Sequence, residues 1–169
     1  MPVTHRLPSV LVLVAALIAP AFAEEKPKAS KDKHDWQPLF DGKSLKGWKE
    51  SGYGGGAEPE VENGELRIAM GEGVNGVTLD AKEPPYKVNY EISLEAKKLM
   101  GNDFFCGLTF PVKDSHASFI VGGWGGGIVG ISSVDHRDAS DNETTKARNF
   151  QKNTWYEIRL RVTDSKIQA

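Results

Sequence analysis

The chain has 169 residues, with 21 Lys and Arg against 23 Asp and Glu and a formal net charge of −2. This balance lacks the excess of basic residues that is typical of a nucleic-acid-binding domain, so we expect no nucleic-acid partner. A single cysteine, Cys106, excludes an intrachain disulfide.

Residues 1–23 have the features of a secretory signal peptide. His5 and Arg6 stand near its start, an apolar run extends from Leu7 to Ala19, and Ala21-Phe22-Ala23 provides a small-x-small cleavage site. The run is shorter than the roughly 20 apolar residues that a membrane span requires. We therefore expect an exported protein, periplasmic or extracellular, with no membrane association once the signal has been cleaved.

A polar linker and then one domain are predicted to follow the signal peptide. Residues 24–35 are rich in Lys, Glu and Pro without apolar periodicity, which is typical of a solvated linker. Residues 36–169 are long enough to bury a hydrophobic core as a single domain.

The domain is predicted to be all-β, because apolar and polar residues alternate with period two and no segment has the period of an amphipathic helix. Asn63-Gly64 suits the type I′ turn of a β-hairpin. About seven short antiparallel strands with this spacing indicate a β-sandwich. The segments with this pattern are 61–68, 86–96, 103–110, 117–121, 127–131 and 155–163.

Two further expectations concern the strands. Alternation places Cys106 on one face with Phe104 and Leu108, which favours a buried, unreactive thiol over a nucleophile. Residues 166–169 have the pattern of the first half of a strand that lacks a partner. We therefore expect a C-terminally truncated sandwich with an unpaired edge.

A polar loop at residues 132–144 is the first candidate for chemistry. It holds four acidic residues, a histidine and an arginine. A loop of this length with so few apolar residues is either functional or a solvated, mobile connection. In Asp135-His136, a histidine beside a carboxylate is a plausible general base or metal ligand. The other carboxylates suit calcium, although the spacing matches neither a zinc site nor the twelve-residue calcium loop.

Two glycine-containing segments are the other candidates. Residues 122–127 place Trp124 among five glycines at a hairpin tip. Glycine lets the backbone approach a ligand, and an exposed indole can stack on the apolar face of a sugar. The alternative is a tight turn whose tryptophan folds back on the sheet. Residues 100–103 end in Asn102 and Asp103 at the start of a strand, where an ordinary turn is the simpler interpretation.

The start of the domain carries a family resemblance. Residues 36–48 place a tryptophan at each end of a block that contains an apolar anchor and a tight turn at Asp41-Gly42. Together with residues 60–66, this block resembles the opening of the 3-keto-disaccharide hydrolase family. Members of that family are secreted bacterial proteins with a concanavalin A-like (jelly-roll) β-sandwich. The resemblance covers residues 36–169 and implies the same fold here.

The resemblance also implies a hydrolase or lyase that acts on 3-keto-glycosides, sugars whose C3 hydroxyl has been oxidised to a ketone. The ketone acidifies the C2 proton, so that a base can remove it while a cation or hydrogen-bond donor holds the enolate. The C1 leaving group then departs and water adds back. This chemistry requires a base and an oxyanion stabiliser, not the paired carboxylates of ordinary glycosidases.

On this basis we expect His136 to be the base and Asp135 to orient it. Many family members have Asn-Ser-Gly, an apolar residue and arginine where this chain reads Asn-Asp-Phe-Phe-Cys-Gly at 102–107, so only Asn102 matches. The remaining expected site residues are Asn102, Asp103 and Glu143, which would stabilise the enolate directly or through a divalent metal ion, and Trp124, Arg137 and Asn142, which would bind the carbohydrate.

A non-catalytic carbohydrate-binding module is the alternative function, because sandwiches of this kind bind sugars with aromatic residues and calcium as readily as they cleave them. A structural or adhesion domain without a small ligand is the third class. Sugar binding that depends on Trp124 and survives replacement of His136 would favour the module. Turnover that is lost with His136 would favour the enzyme.

Overall fold

The computed structural model describes residues 36–53, 56–71 and 73–169. The predicted signal peptide and linker, residues 1–23 and 24–35, lie outside the described residues, so these boundaries stay predictions. No helix in the described ranges has the length and hydropathy to cross a membrane. The described strands, in chain order, are β1 (Trp48–Glu50), β2 (Glu60–Glu62), β3 (Glu65–Arg67), β4 (Val77–Leu79), β5 (Tyr90–Lys97), β6 (Cys106–Val112), β7 (Ser115–Gly123), β8 (Ile128–Ser132), β9 (Lys146–Ala147), β10 (Trp155–Val162) and β11 (Ile167–Gln168).

The strands form antiparallel sheets, and no helix is present among the described residues, which confirms the all-β prediction. One sheet has four strands in the order β6-β7-β8-β9, and another has three in the order β11-β10-β5. Two smaller pairs, β1-β4 and β2-β3, come from the first part of the domain. The concanavalin A-like detail of the sandwich stays a prediction.

Side chains from the two larger sheets form one core, as a β-sandwich requires. In β10 the predicted alternation is confirmed, because Ile158, Leu160 and Val162 are at most 5% exposed while the residues between them point outward. The eight residues of β10 pair in continuous register with those of β5. The buried core side chains are Phe110, Phe119, Val121 and Ile131 from the four-stranded sheet and Ile158, Leu160 and Val162 from the three-stranded sheet.

Two expectations were wrong: that the strand alternation begins at Tyr86, and that Phe104 shares an inner face with Cys106. Asn89 has a φ of 58°, a left-handed conformation that interrupts an extended chain, so β5 begins at Tyr90 and Tyr86 is 49% exposed. Phe104 precedes β6 and is 41% exposed, whereas Phe105 packs against the core beside Cys106. Alternation fails at both places because the residues lie just outside regular strand geometry.

Tyr90 links the two larger sheets. Its hydroxyl donates a hydrogen bond to the Pro111 carbonyl oxygen at 2.5 Å, which ties the start of β5 to β6. Burial disfavours the phenolate and raises the pKa of Tyr90 to about 12. The tyrosine therefore stays a neutral donor throughout the physiological range.

The opening block folds as its turn residues predict. Gly42 has a φ of 71°, and the Asp41 carboxylate accepts hydrogen bonds from the Lys43 and Ser44 backbone N–H groups at 2.7 and 2.8 Å. These bonds lower the pKa of Asp41. The Trp48 indole N–H donates to the Leu39 carbonyl oxygen at 2.8 Å and closes the block.

The β2–β3 hairpin confirms the predicted type I′ turn, because Asn63 and Gly64 both have positive φ values of 53° and 80°. At the other end of the chain, β11 pairs with Arg161 and Val162 of β10. The expectation that this last segment lacks a partner was therefore wrong. The predicted truncation itself stays a prediction.

Candidate functional site

A cleft of about 410 Å³ lies where three segments distant in sequence meet. These are the residues that follow β5, the turn between β7 and β8, and the segment that leads into β10. The cleft is broad and open to solvent. The residues that line the cleft are Lys98, Gly101, Asn102, Gly125, Gly126, Gly127, Asn149, Phe150 and Lys152.

Lys98 is the most unusual of these residues, because it is a lysine that is only 6% exposed. Its ammonium lies 5.9 Å from the centre of the Phe105 ring. Its backbone carbonyl accepts a hydrogen bond from the Asn153 N–H at 2.8 Å, which fixes the segment before β10 against it. Among the residues the structure describes, no carboxylate forms an ion pair with this ammonium. A buried lysine without a counter-ion is rare.

Gly126 forms the opposite wall and keeps space open in front of Lys98. Its φ is +94°, and a Cβ atom at this position would lie 3.0 Å from the Asn102 carbonyl oxygen and 3.3 Å from the Lys98 Nζ. A side chain would therefore enter the cleft and crowd the ammonium. The turn is closed by a hydrogen bond from the Gly126 N–H to the Gly123 carbonyl oxygen at 3.2 Å.

Trp124 lies at the exposed tip of the same hairpin. An irregularity between Val121 and Gly123 shifts the β7–β8 register, and the φ of Gly122 is 77°. Trp124 is 48% exposed, so its indole does not fold back completely on the sheet. It does not line the cleft, but it directly precedes the three glycines that do. Its role in carbohydrate binding stays a prediction.

Asp135 and His136 occupy the two central positions of a tight turn. Their φ values are 49° and 62°, and the Arg137 N–H donates to the Val134 carbonyl oxygen at 2.9 Å, as in a type I′ hairpin. Both side chains are exposed. No hydrogen bond or ion pair joins the two within the described structure, so the expected orientation of His136 by Asp135 is not seen.

The rest of the polar loop is held by its own hydrogen bonds. The Asn142 side-chain amide donates to the carbonyl oxygens of Ile131 at 2.8 Å and Asp138 at 2.7 Å. Its amide oxygen accepts from the backbone N–H and hydroxyl of Thr144 at 2.9 and 2.6 Å. Ala139 is fully buried beneath these contacts. The loop is thus a packed unit in which Asn142 has a structural role.

The predicted site residues do not converge on one point. Asn102 lines the cleft, while the Asp103 carboxylate accepts a hydrogen bond from the Phe104 N–H at 2.8 Å. Arg137 and Glu143 form an exposed ion pair at 3.5 Å in the polar loop. In the described ranges no three His, Cys, Asp or Glu side chains are grouped to hold a metal ion. A divalent ion at this site stays a prediction.

Cys106 has the environment expected of a structural thiol. It is partly buried against the core, and burial raises its pKa to about 11. At neutral pH the thiolate, which is the nucleophilic form, is therefore scarce. This agrees with the prediction of an unreactive cysteine.

Lys98, Asn149 and Lys152 are the candidate residues that sequence reasoning missed. A signal was present for Lys98, because it continues the inward-facing phase of Tyr90, Ile92, Leu94 and Ala96. A lysine in that phase is out of place in a core and points to a polar site. No comparable pattern distinguishes Asn149 and Lys152, whose position at the cleft depends on how the segments assemble.

Comparison with known families tests the family resemblance of the opening block. The model of the 3-keto-alpha-glucoside-1,2-lyase-like domain family matches residues 35–169. Searches among curated proteins and among solved structures gave no significant match. The match includes the opening tryptophan block and extends through every described strand. The chain therefore belongs to the 3-keto-alpha-glucoside-1,2-lyase-like domain family.

Proposed function

We propose that this chain is an exported domain that cleaves 3-keto-glycosides by elimination at C1 and C2 followed by hydration. The observation that carries the proposal is the family match over residues 35–169, since the family's name describes a 1,2-lyase of 3-keto-α-glucosides. The cleft beside Lys98 and Asn102 supports it, because a small-molecule enzyme needs a concave site with a few polar groups.

The proposed reaction balances without an oxidant, because the substrate already contains the C3 ketone. A base takes the C2 proton, and the resulting electron pair forms the C1–C2 double bond as the C1–O bond breaks. The leaving alcohol accepts a proton. Water then adds its oxygen to C1 and a proton to C2, which gives the free 3-keto sugar.

Asn102 is the predicted site residue that the cleft supports best, since its side chain can donate to the substrate there. His136 stays the predicted base, and it lies exposed in the polar loop, outside the residues that line the cleft. Trp124 is proposed to stack on the sugar beside the glycine turn. Asp135, Asp103, Glu143, Arg137 and Asn142 stay predicted contributors.

The test is NMR of the purified mature protein with a 3-keto-disaccharide and, separately, with its unoxidised parent. Release of free sugar from the keto compound alone supports the proposal. Adding EDTA to a parallel sample tests for a metal requirement. A folded sample that releases nothing from either compound contradicts the proposal.

The second candidate function, a carbohydrate-binding module, is favoured by the exposure of Trp124. The variants Trp124→Ala and His136→Ala separate the two functions, and His116→Ala is a matched control because His116 is an exposed histidine in β7. An enzyme loses turnover with His136→Ala. A module shows no turnover, and its sugar binding is lost only with Trp124→Ala.

A further inference from the structure

We infer that the cleft is an anion site in which the Lys98 ammonium binds a negatively charged oxygen of a saccharide. This deepens the proposed function by giving its site a charge preference. The oxygen can belong to a uronate carboxylate or to the enolate of a 3-keto sugar, and only the enolate case rests on the proposed function. The inference is carried by the lining charge, the burial of Lys98 and the space in front of Gly126.

The charge of the cleft is opposite to that of the chain. Lys98 and Lys152 both line it, and none of the lining residues is Asp or Glu. Asn102 and Asn149 add side-chain amides that can donate hydrogen bonds. The chain as a whole carries a formal charge of −2, so this local excess of positive charge is a feature of the cleft.

Burial fixes the Lys98 side chain as part of this site. The residue is only 6% exposed, so its alkyl stem is packed, and its Nζ lies at the cleft beside Gly126. The centre of the Phe105 ring is 5.9 Å from Nζ, which is a cation–π contact. Among the described residues no carboxylate pairs with the ammonium, so it can bind an anion that enters the cleft.

The missing side chain of Gly126 supplies the necessary room. A Cβ atom there would lie 3.3 Å from the Lys98 Nζ and 3.0 Å from the Asn102 carbonyl oxygen, so its absence leaves the ammonium uncrowded on that side. A ligand oxygen that enters the cleft can accept a charge-assisted hydrogen bond from Nζ, which is the stronger kind. The glycine backbone can also lie against a sugar ring.

Two sources can supply this oxygen. The first is the carboxylate of a uronic acid, which is negative before any reaction. The second is the C3 enolate oxygen of a neutral 3-keto sugar, which becomes negative only after the C2 proton has been removed. Both place a negatively charged oxygen beside Lys98. The carboxylate would strengthen substrate binding, whereas stabilising the enolate would raise the reaction rate.

The experiment has a binding arm and a kinetic arm. Methyl glucuronide and methyl glucoside are titrated by calorimetry into the wild-type domain, Lys98→Met and Lys98→Arg. The kcat and KM of each protein are then measured with a neutral 3-keto-disaccharide. Lys87→Met is the matched control, because Lys87 is an exposed lysine outside the cleft that pairs with Asp114. Thermal unfolding checks that each variant is folded.

A uronate source predicts that the wild type binds methyl glucuronide about tenfold or more tightly than methyl glucoside, since charge-assisted hydrogen bonds are the stronger ones. Lys98→Met abolishes that preference, while Lys98→Arg and Lys87→Met retain it. This outcome stands even if the wild type does not cleave the keto sugar, in which case only the proposed function fails.

An enolate source predicts no glucuronide preference and a kcat about 100-fold lower in Lys98→Met, as expected when one oxyanion donor is removed, with KM little changed. Lys98→Arg should recover part of that loss. The inference is overturned if a glucuronide preference survives in Lys98→Met. It is also overturned if the wild type has no preference and either lacks turnover or retains it fully in Lys98→Met. Should Lys98→Met not fold, Lys98→Gln replaces it in both arms, because it also removes the charge.

Discussion

At the scale of single residues, the polar side chains of this domain divide into those that hold the chain in place and those that remain available to a ligand. Asn142 belongs to the first group, since both ends of its amide bond to the backbone or to Thr144 within the polar loop. Lys98 belongs to the second, since it lines the cleft and no carboxylate among the described residues pairs with its ammonium. Sequence position alone does not separate these roles, because both residues are polar and lie near candidate loops.

Asn142→Ala should therefore lower stability before it affects any ligand. Removing the hydrogen bond to the carbonyl of buried Ile131 costs about 1–3 kcal/mol, which urea denaturation will measure. Glu143→Gln is the matched control, because its ion pair with Arg137 is exposed and such pairs contribute about 0–1 kcal/mol. Equal stabilities for the Asn142→Ala variant and the wild type would show that the loop does not depend on this amide.

At the scale of elements, the β7–β8 hairpin is the part of the fold that shapes the cleft. Its turn brings three successive glycines to the wall opposite Lys98 and leaves Trp124 exposed beside them. The remaining walls come from the segments that follow β5 and lead into β10. The long pairing of β10 with β5 holds those two segments together, and the Asn153 N–H to Lys98 carbonyl bond extends that pairing.

Replacing the two central glycines of the turn separates backbone strain from loss of the cleft. Gly125 and Gly126 have similar φ values of +81° and +94°, so alanine at either position carries a similar left-handed penalty of about 1–2 kcal/mol. Only at Gly126 would the Cβ meet other atoms, those of Asn102 and Lys98. We expect Gly125→Ala to show the backbone strain alone in thermal unfolding, and Gly126→Ala to lose more stability because its Cβ would lie 3.0 Å from the Asn102 carbonyl oxygen.

Ligand binding or turnover should then fall much further in Gly126→Ala than in Gly125→Ala. Calorimetry or the NMR turnover assay measures this difference at a temperature where both variants are folded. Equal effects of the two replacements on ligand binding would place the ligand elsewhere than against Gly126.

The strands of this domain could be predicted from the sequence because each central strand has one face in the core. The alternation of Ile158, Leu160 and Val162 is the clearest case, and Asn63-Gly64 fixed its hairpin through turn chemistry. The residue at which β5 begins could not be predicted, because Asn89 can adopt its left-handed conformation without any change in the apolar alternation of residues 86–96. The cleft could not be predicted, because it joins segments around residues 98, 126 and 150 that only the fold brings together.

At the scale of the whole molecule, the two larger sheets pack their inner faces into one core and leave the connections between strands to build the site. The family match over residues 35–169 assigns this sandwich to a group whose name describes a 3-keto-glucoside lyase. A fold of this kind supports binding and catalysis equally well, so the chemistry must be tested at the reacting carbons.

The most direct test of the account is turnover of a 3-keto-disaccharide in D2O, with NMR of the product recorded early and against an enzyme-free control. Elimination followed by hydration predicts that the released 3-keto sugar carries solvent deuterium at C2, because the original C2 proton has been removed. Direct hydrolysis through an oxocarbenium ion would leave the original proton at C2. A product that retains protium at C2, or a folded protein that releases no sugar, would contradict the account.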